Sequence, residues 1–271
     1  MDSWVDGQPA DALSLKDRGL AYGDGLFETI AVHNGSPVLL DRHLVRLVKG
    51  CQRLAINLDH PAVCTELLTY AQALGEGVLK LIVTRGESAR GYAPDPSAQA
   101  RRIMLGNPPA VYPVAHAEQG VRLFPCATRL SKQPLLAGLK HLNRLEQVIA
   151  RSEWQDTDHA EGLMLDQAGR VIEGVFSNLF LIRDGVLITA DLKRCGVAGV
   201  MRAELLFQAE SSGIPTQITD ITLDQLQWAD EVFVCNSVYG VWPVRAYAAL
   251  SWPVGPLTRK LQTIARALLD A

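Results

Sequence analysis

The sequence predicts an α+β fold divided into two domains, and three observations support this prediction. Strand-like and helix-like segments mix along the 271 residues without strict β-α-β alternation. A proline-rich segment without periodicity, NPPAVYPVAHAEQG, interrupts the chain. Hydrophobic residues make up 48% of the chain, which is ample material for a core. We therefore expect an N-terminal α/β domain over 1–106, a linker over 107–120 and a C-terminal domain over 121–271.

The N-terminal part reads as a β-β-α-α-β-β block. WVDGQP and VHNGSPV carry Asp-Gly and Asn-Gly pairs that favour type I′ hairpin turns, and YGDGLFETIAVH between them reads as a strand. Asp41 is placed to cap a helix through HLVRLVKGCQRLAI. A second helix is expected from Pro61 to Leu74, ended by Gly75 and followed by the strands GVLKLIVTR and RRIMLG. The apolar stripe of the first helix is Leu44, Leu47, Val48, Cys51 and Leu54.

The C-terminal part begins with the strand GVRLFPCAT and a helix expected from Leu142 to Trp154. EGLMLDQAGRVIEGVFSNLFLIRDGVLIT then reads as a meander of short strands with turns at AGR and DG. A helix over GVMRAELLFQAESSG, a strand over ADEVFVCNS and an amphipathic helix over PLTRKLQTIARALLDA complete the expected order.

Composition excludes several classes of function. The chain has 26 basic and 29 acidic residues, a net charge of −3, which does not favour nucleic acid or anionic membranes as partners. No apolar run approaches the roughly 18 residues of a membrane span, and we expect a cytoplasmic protein without a signal peptide. The five cysteines form no CxxC pair and the six histidines show no metal-binding spacing, so we expect neither disulfides nor a metal.

Two residues that are costly to bury stand in apolar surroundings. Lys140 lies in LLAGLKHLNRLEQV, where an apolar, glycine-containing stretch meets an amphipathic helix. An amine among apolar neighbours can be a nucleophile that forms Schiff bases with carbonyl compounds, although a snorkelling lysine with an exposed amine is the simpler interpretation. Glu173 lies in GRVIEGVFSNLF, and its alternation with Val171 and Val175 also fits a carboxylate on a solvent-facing strand.

Three features could bind a phosphate group. Arg46 in DRHLVRL could offer a bidentate guanidinium. CGVAGVMRAELL places Gly199, Val200 and Met201 at a helix start, where N–H groups and the helix dipole favour an anion. Ser237 in VFVCNSVYG follows a buried-type strand and could donate a hydroxyl group. Each pattern also fits a residue without function, namely a surface arginine, a glycine before a helix and a serine in a turn.

The tract TRGESARGY holds Arg85, Arg90 and Tyr92, a grouping that suits recognition of a carboxylated substrate. Charge patterning favours the simpler interpretation of a solvated loop after a strand. YGDGLF lacks the strand–GxGxxG–helix context of a dinucleotide site. The chain also contains no HExxH motif, no GxSxG elbow and no Walker loop.

These motifs, in this order, resemble the fold-type IV enzymes that use pyridoxal 5′-phosphate (PLP). The resemblance covers nearly the whole chain and rests on YGDGLFET, HLVRL, CQRLAI, GVLKLIVTRG, RGY, LAGLKHLNRLEQV, VIEGVFSNLF, GVMR, and CNS followed by WPV. GLKHLNRLEQ and RGY resemble the aminodeoxychorismate lyase branch more than the transaminases. The resemblance implies a small N-terminal α/β sandwich, a larger C-terminal pseudo-barrel domain that binds PLP, and a homodimer.

The resemblance also implies a role for each candidate residue. Lys140 corresponds to the Schiff-base lysine, Glu173 to the partner of the pyridine nitrogen and Arg46 to the phosphate-binding arginine. Arg90 and Tyr92, with Arg85 as a third candidate, correspond to substrate-binding positions. The rest of the phosphate site corresponds to Gly199, Val200, Met201, Asn236 and Ser237.

Two positions depart from the family pattern. Related transaminases often have a threonine where Met201 stands and a Gly-Thr pair where this chain has Asn236–Ser237. The resemblance therefore implies a phosphate site with fewer side-chain hydroxyl groups.

The implied activity is conversion of 4-amino-4-deoxychorismate to 4-aminobenzoate and pyruvate for folate synthesis. Lys140 acts there as a general base, and Glu173 keeps the pyridine nitrogen protonated. Two alternatives remain open at this point: an aminotransferase for D-amino or branched-chain amino acids, and a non-catalytic PLP-binding protein. The sequence also leaves open whether His141, Asn143 or Arg144 contacts the substrate.

Overall fold

The computed structural model describes residues 2–270. Contacts divide them into two compact units, each described here by itself. Unit 1 comprises residues 2–110 and 139–143, and unit 2 comprises residues 111–138 and 144–270. This division falls inside the expected linker, whereas inclusion of the short segment 139–143 in unit 1 has no counterpart in the sequence patterns. The domain bounds 1–106 and 121–271 remain a prediction.

Unit 1 contains one antiparallel sheet of six strands, in the order β2-β1-β6-β5-β3-β4. Its largest fully buried side chains include Ile30, Leu47, Leu67, Tyr70 and Leu79. Its elements are β1 (Trp4–Val5), β2 (Gln8–Pro9), α1 (Arg18–Tyr22), β3 (Gly25–His33), β4 (Ser36–Pro37), α2 (Leu40–Leu54), α3 (His60–Leu74), β5 (Gly77–Thr84) and β6 (Arg101–Asn107).

The local signals of unit 1 explain most of these elements. Asn34 and Gly35 have φ values of 49° and 75°, the left-handed backbone that a type I′ turn requires. Helix α2 buries Leu47 and Cys51 of the expected stripe. The expectation that Asp41 caps this helix is wrong: Leu39 occupies the cap position, and Asp41 lies in the first turn, where the helix dipole favours a carboxylate.

Unit 2 contains a nine-stranded sheet whose main path is β12-β11-β10-β13-β14-β7-β8-β9, with β15 paired to β14. Its largest fully buried side chains include Phe180, Phe233, Leu123, Leu130 and Leu163. Its elements are α4 (Val114–Glu118), β7 (Val121–Leu130), α5 (Leu145–Arg151), β8 (His159–Asp166), β9 (Val171–Gly174), β10 (Asn178–Arg183), β11 (Val186–Ala190), α6 (Val200–Ser211), β12 (Thr216–Thr219), α7 (Leu223–Gln227), β13 (Glu231–Asn236), β14 (Gly240–Tyr247), β15 (Leu250–Ser251) and α8 (Pro256–Leu269).

Six strands of unit 2 close on themselves, because β9 pairs with β10 as well as with β8. The closure is made by a single residue pair, Glu173 opposite Asn178. The predicted α+β class with a barrel-like C-terminal sheet is therefore confirmed.

Two expected elements differ in the structure. The helix expected from Leu142 to Trp154 spans only Leu145–Arg151, because the preceding residues form bridging hydrogen bonds with β3 instead. The expected linker is not wholly irregular, since Pro113 precedes the short helix α4. Helices α1 and α7 are additional to the elements expected from the sequence.

Candidate active site

The segment that carries Lys140 is an extended piece of chain bonded to the start of β3. The N–H of Phe27 donates to the carbonyl of Lys140 (2.9 Å), and the N–H of Leu142 donates to the carbonyl of Gly25 (3.0 Å). A Cβ on Gly25 would lie 2.4 Å from the Val83 carbonyl oxygen, so only glycine allows this close approach. The backbone of Lys140 is thus fixed by bonds to a strand more than a hundred residues away in sequence.

The amine of Lys140 lies over an aromatic ring. Its Nζ is 4.3 Å from the centroid of the Phe27 ring, and the Nζ of Lys80 is 5.3 Å from the same centroid. A cation is attracted to the negative face of such a ring. The lysine is partly buried, and its amine is held at a defined place instead of extending freely into solvent.

A buried acid–base cluster surrounds Arg46 in unit 1. The Glu28 carboxylate accepts a hydrogen bond from Arg46 Nε (2.8 Å) and a second from its terminal nitrogen, and it lies 2.6 Å from His43 Nδ1. Burial alone would raise the pKa of the Glu28 carboxyl, but Arg46 and His43 together outweigh burial and hold its pKa at about 2. Arg46 is consequently a partly buried arginine held in one orientation by a carboxylate, which does not match a plain surface arginine.

His43 in this cluster is neutral. Burial lowers its pKa, and the nearby charges of Arg46 and Lys140 lower it further, whereas Glu28 opposes them. A neutral ring beside an ionised carboxylate carries its proton on Nδ1, which donates to Glu28.

Glu173 is buried, which excludes the interpretation as a carboxylate on a solvent-facing strand. Its side chain is in β9 and only 3% exposed. Its Oε2 accepts hydrogen bonds from the N–H of Val197 (2.8 Å) and from Asn178 Nδ2 (3.4 Å). The same Asn178 nitrogen donates to the Val197 carbonyl (2.9 Å). A buried carboxylate with defined donors at one oxygen is suited to accept a proton or an N–H group from a ligand.

Glycines make room for the loop that leads into α6. A Cβ on Gly196 would lie 3.2 Å from Glu173 Oε2, and Gly196 has a φ of 83°. A Cβ on Gly199 would lie 2.0 Å from Asn178 Oδ1. Helix α6 then begins at Val200 and Met201, so the N–H groups of its first turn have no acceptor within the helix and suit an anion.

The turn that carries Ser237 is ordered by Asn236. The Asn236 Oδ1 accepts hydrogen bonds from the N–H groups of Val238 (2.9 Å) and Tyr239 (3.0 Å). Its Nδ2 donates to the carbonyl of Phe176 (3.3 Å). Asn236 therefore shapes the turn around Ser237 and joins it to the turn after Glu173.

Arg85 is buried in an ion-pair network of unit 1. Its guanidinium donates to both oxygens of Asp24 (2.7 and 3.0 Å) and to the carbonyls of Leu54 (2.7 Å) and Ala55 (2.6 Å). Burial alone would raise the pKa of Asp24, but the arginines at 85 and 18 lower it overall. These contacts favour a structural role for Arg85.

Arg90 and Tyr92 are exposed on the loop after β5, and the Tyr92 side chain is 85% exposed. Arg18 holds the backbone of this loop by donating to the carbonyls of Gly91 (3.0 Å) and Tyr92 (2.9 Å). Arg90 also lines an open cavity of about 690 Å³ together with Tyr22. Arg18 thus holds the backbone of the loop in place, while the side chains of Arg90 and Tyr92 are exposed to solvent.

Sequence reasoning missed several buried polar residues near the candidate residues. These are Glu28, His43, Glu161, Asn178 and Arg202. Arg202 is 8% exposed and donates to Thr189 Oγ1 (3.2 Å) and the Ala190 carbonyl (2.9 Å). In each case the sequence shows a polar residue within an otherwise apolar strand or helix. A residue that faces solvent produces the same pattern, so the pattern alone does not indicate a buried polar residue.

Two features are absent from the described residues, 2–270. Over that range there is no group of three or more histidine, cysteine, aspartate and glutamate side chains arranged to bind a metal ion. Nor does any helix there have the length and apolar character needed to cross a bilayer.

The family model named amino-transferase class IV matches residues 25–247, which include all candidate residues described above, and the chain belongs to this family. Enzymes of this family depend on PLP. Each unit, taken by itself, contains residue types that this cofactor requires. Unit 1 has an amine and a guanidinium held by a carboxylate, and unit 2 has a buried carboxylate and a helix that begins after a glycine.

Individual relatives are similar along nearly their full length. An aminodeoxychorismate lyase of Vibrio harveyi is 38% identical, with 96% of this chain and 97% of the relative covered. The crystal structure of a 4-amino-4-deoxychorismate lyase from Pseudomonas aeruginosa is 64% identical, with a TM-score of 0.98 and coverage of 99% and 100%. A D-alanine aminotransferase of Bacillus licheniformis is 29% identical, with coverage of 93% and 90%.

Proposed function

We propose that this chain is a PLP-dependent lyase that converts 4-amino-4-deoxychorismate to 4-aminobenzoate and pyruvate. The observation that carries the proposal is the 64% identity to a 4-amino-4-deoxychorismate lyase over 99% of the chain, against 29% for a D-alanine aminotransferase. The ordered lysine segment and the buried Glu173 support it, because both are features that PLP chemistry needs.

When bound, PLP supplies a ring that accepts electron density from the substrate carbon attached to nitrogen. Lys140 would hold the cofactor covalently through its amine, and the same amine would take the proton from that carbon as a general base. Loss of this C–H bond is balanced by cleavage of the neighbouring C–O bond of the enolpyruvyl ether. The oxygen leaves with the three-carbon unit, which takes up a proton to become pyruvate, and the six-membered ring becomes aromatic.

Glu173 is the residue that accepts the N–H of the pyridine ring. The Val197 N–H and the Asn178 amide both engage its Oε2, which fixes the plane of the carboxylate. An ionised acceptor at this nitrogen keeps the ring protonated, and a protonated ring accepts electron density better than a neutral one.

For the phosphate group we propose Arg46, the backbone N–H groups of Val200 and Met201 after Gly199, and the Ser237 turn ordered by Asn236. Arg46 supplies a charge-assisted hydrogen bond, and the helix start supplies the positive end of a dipole. Glu28 contributes indirectly, because it holds the Arg46 guanidinium in place.

For the substrate carboxylates we propose Arg90, with Tyr92 beside it, since both are exposed on a loop whose backbone is anchored by Arg18. Arg85 supports this substrate site through its ion pair with Asp24 and does not contact the substrate directly. Arg90→Ala is expected to raise KM more than it lowers kcat.

The direct test is to incubate the purified protein with 4-amino-4-deoxychorismate and to follow 4-aminobenzoate and pyruvate, with and without an added 2-oxo acid. We expect both products in equal amounts without an amino acceptor. Formation of glutamate from 2-oxoglutarate and a D-amino or branched-chain amino acid, in the absence of lyase turnover, would establish the aminotransferase alternative instead. A protein that binds PLP but turns over neither substrate would establish the non-catalytic alternative.

Lys140→Ala is expected to abolish turnover and covalent capture of PLP by borohydride. Lys80→Ala is the matched control, since both amines lie over the Phe27 ring and both side chains are partly buried. The control should be captured normally. Full lyase turnover by Lys140→Ala would refute the assignment.

Glu173→Gln is expected to bind PLP while losing most of its rate. Glu231→Gln is the control, because Glu231 is also buried but caps helix α8 through the N–H groups of Leu257 and Thr258. A near-normal rate for Glu173→Gln would remove Glu173 from its proposed role.

We also propose that the chain forms a homodimer in the cytoplasm. Helix α5 exposes Leu145, Val148 and Ile149, which lie three and four residues apart and form one apolar face. The described cysteines are free thiols, a state that is compatible with a reducing compartment. Sedimentation equilibrium would test the dimer, and Val148→Glu should shift it toward monomer.

A further inference from the structure

Glu161 on β8 is a fully buried carboxylate, with 0% of its surface exposed. Its oxygens accept hydrogen bonds from the N–H groups of Gly162 (2.8 Å), Val175 (3.0 Å) and Phe176 (3.4 Å) and from the hydroxyl of Ser177 (2.7 Å). Three of these four donors belong to the turn 175–177. A buried carboxyl group whose hydrogen bonds come mainly from one turn fixes the conformation of that turn.

The turn 175–177 joins Glu173 to Asn178, the pair that closes the barrel-like sheet. The N–H of Gly174 donates to the Ser177 carbonyl (2.8 Å), which tightens the turn further. A Cβ on Gly174 would lie 2.2 Å from Ser177 Oγ and 2.9 Å from the carboxyl carbon of Glu161. Both flanks of the turn thus end in residues of the proposed ring-nitrogen site, and the space beside Glu161 admits only glycine.

The same turn also contacts the proposed phosphate site. The Phe176 carbonyl accepts the hydrogen bond from Asn236 Nδ2 (3.3 Å), and Asn236 shapes the turn that carries Ser237. A displacement of Phe176 therefore alters the Asn236 side chain as well as the position of Asn178.

The ionisable groups that interact with Glu161 come from three other parts of unit 2. They are Tyr112 before α4, Cys126 on β7 and Tyr239 before β14. Burial raises the pKa of each, so all three are uncharged at neutral pH. The hydrogen bonds from the turn are accordingly the main stabilisation of the Glu161 charge among these contacts.

We propose that Glu161 is a positioning residue of the cofactor site: its carboxylate holds the turn 175–177 and thereby aligns Glu173 with the pyridine nitrogen and the Ser237 turn with the phosphate. This inference rests on the proposed function and extends it to a residue that contacts neither cofactor nor substrate in that scheme.

Glu161→Gln tests the inference. Both oxygens of Glu161 accept hydrogen bonds, and the substitution replaces one oxygen by an NH2 group that can only donate. This NH2 group would face an N–H or O–H donor, so the turn would lose at least one hydrogen bond. We expect the dissociation constant for PLP, measured by titrating cofactor-free protein, to rise about tenfold to 100-fold. The visible absorbance maximum of bound PLP should also shift, because Glu173, the proposed acceptor at the ring nitrogen, changes position.

Glu153→Gln is the matched control. Glu153 also accepts two backbone N–H groups and one hydroxyl, from Ala127 and Thr128, but on a part of β7 that carries no candidate residue. It should lower the midpoint of thermal unfolding while leaving the PLP dissociation constant and absorbance maximum unchanged. Equal effects of the two variants on stability, with wild-type PLP affinity and spectrum for Glu161→Gln, would overturn the inference.

Ser177→Ala provides a second test if Glu161→Gln does not fold. It removes one of the four donors, and we expect PLP affinity to fall about threefold to tenfold; unchanged affinity would overturn the inference. Both measurements use PLP without substrate. A wild-type protein that binds PLP but does not produce 4-aminobenzoate would therefore contradict the proposed lyase activity while leaving the test of Glu161 intact.

Discussion

Replacement of Glu28 by glutamine should remove a large acid-dependent contribution to the stability of unit 1. The pKa of this carboxyl falls from 4.5 to about 2 because Arg46 and His43 outweigh its burial. A group whose pKa is depressed on folding stabilises the protein at pH values above its unfolded pKa, and this stabilisation is lost as the pH falls toward the folded pKa. A depression of this size corresponds to about 3 kcal/mol.

Urea unfolding followed by circular dichroism at a series of pH values measures this effect. The free energy of unfolding of the wild type should decrease from about pH 5 downward, and part of that decrease, about 3 kcal/mol, should be absent in Glu28→Gln. Glu76→Gln is the control, because Glu76 pairs with His33 at the surface and its side chain is 51% exposed. Parallel pH curves for wild type and Glu28→Gln would refute the reasoning.

The remaining predictions concern both units. The stability contribution of Glu161 depends on pH in the opposite direction to that of Glu28, because burial raises the pKa of Glu161 from 4.5 to about 7. The free energy of unfolding should therefore fall by about 3 kcal/mol as the pH rises through this interval. In the same urea series, Glu161→Gln should reduce this dependence on pH. Arg85→Lys should lower the free energy of unfolding by about 2–3 kcal/mol with little change in KM, because lysine cannot reproduce the bidentate bond to Asp24; a large rise in KM with unchanged stability would indicate direct substrate contact. Gly199→Ala should weaken PLP binding by at least about tenfold in a spectrophotometric titration, because its Cβ would lie 2.0 Å from Asn178 Oδ1; wild-type affinity would show that the loop adapts without loss.

Local sequence patterns predicted the turns and helices that are determined by residues close together in the sequence. The Asn-Gly pair at Asn34 produced its type I′ turn, and the apolar period placed α2 within a few residues of its observed ends. The start of α5 was predicted three residues too early, because LNRLEQ has helical periodicity while its first residues bond to β3. A partner so far away in sequence leaves no trace in a local pattern.

The candidate site shows the same limit. Residue type and local pattern singled out Lys140, Glu173 and Arg46 but left an interpretation without function open for each, and their proposed roles rest on the resemblance to fold-type IV enzymes. Glu28 and Glu161 were missed because each alternates with apolar residues as a solvent-facing carboxylate would. Only the three-dimensional arrangement distinguishes the two cases, through 2% and 0% exposure and through the donors that surround each carboxylate.

The short segment 139–143 is bonded to β3 although the chain on both sides of it belongs to unit 2. If the chain were cut after Ala110 and the halves were produced separately, the first would lack Lys140 and the second would lack the strand that holds it. Each fragment should then fail to be labelled covalently by PLP on borohydride reduction, and a mixture should recover labelling only when the strand pairing re-forms. Covalent PLP labelling of split versions of this enzyme would therefore serve as a reporter of fragment complementation.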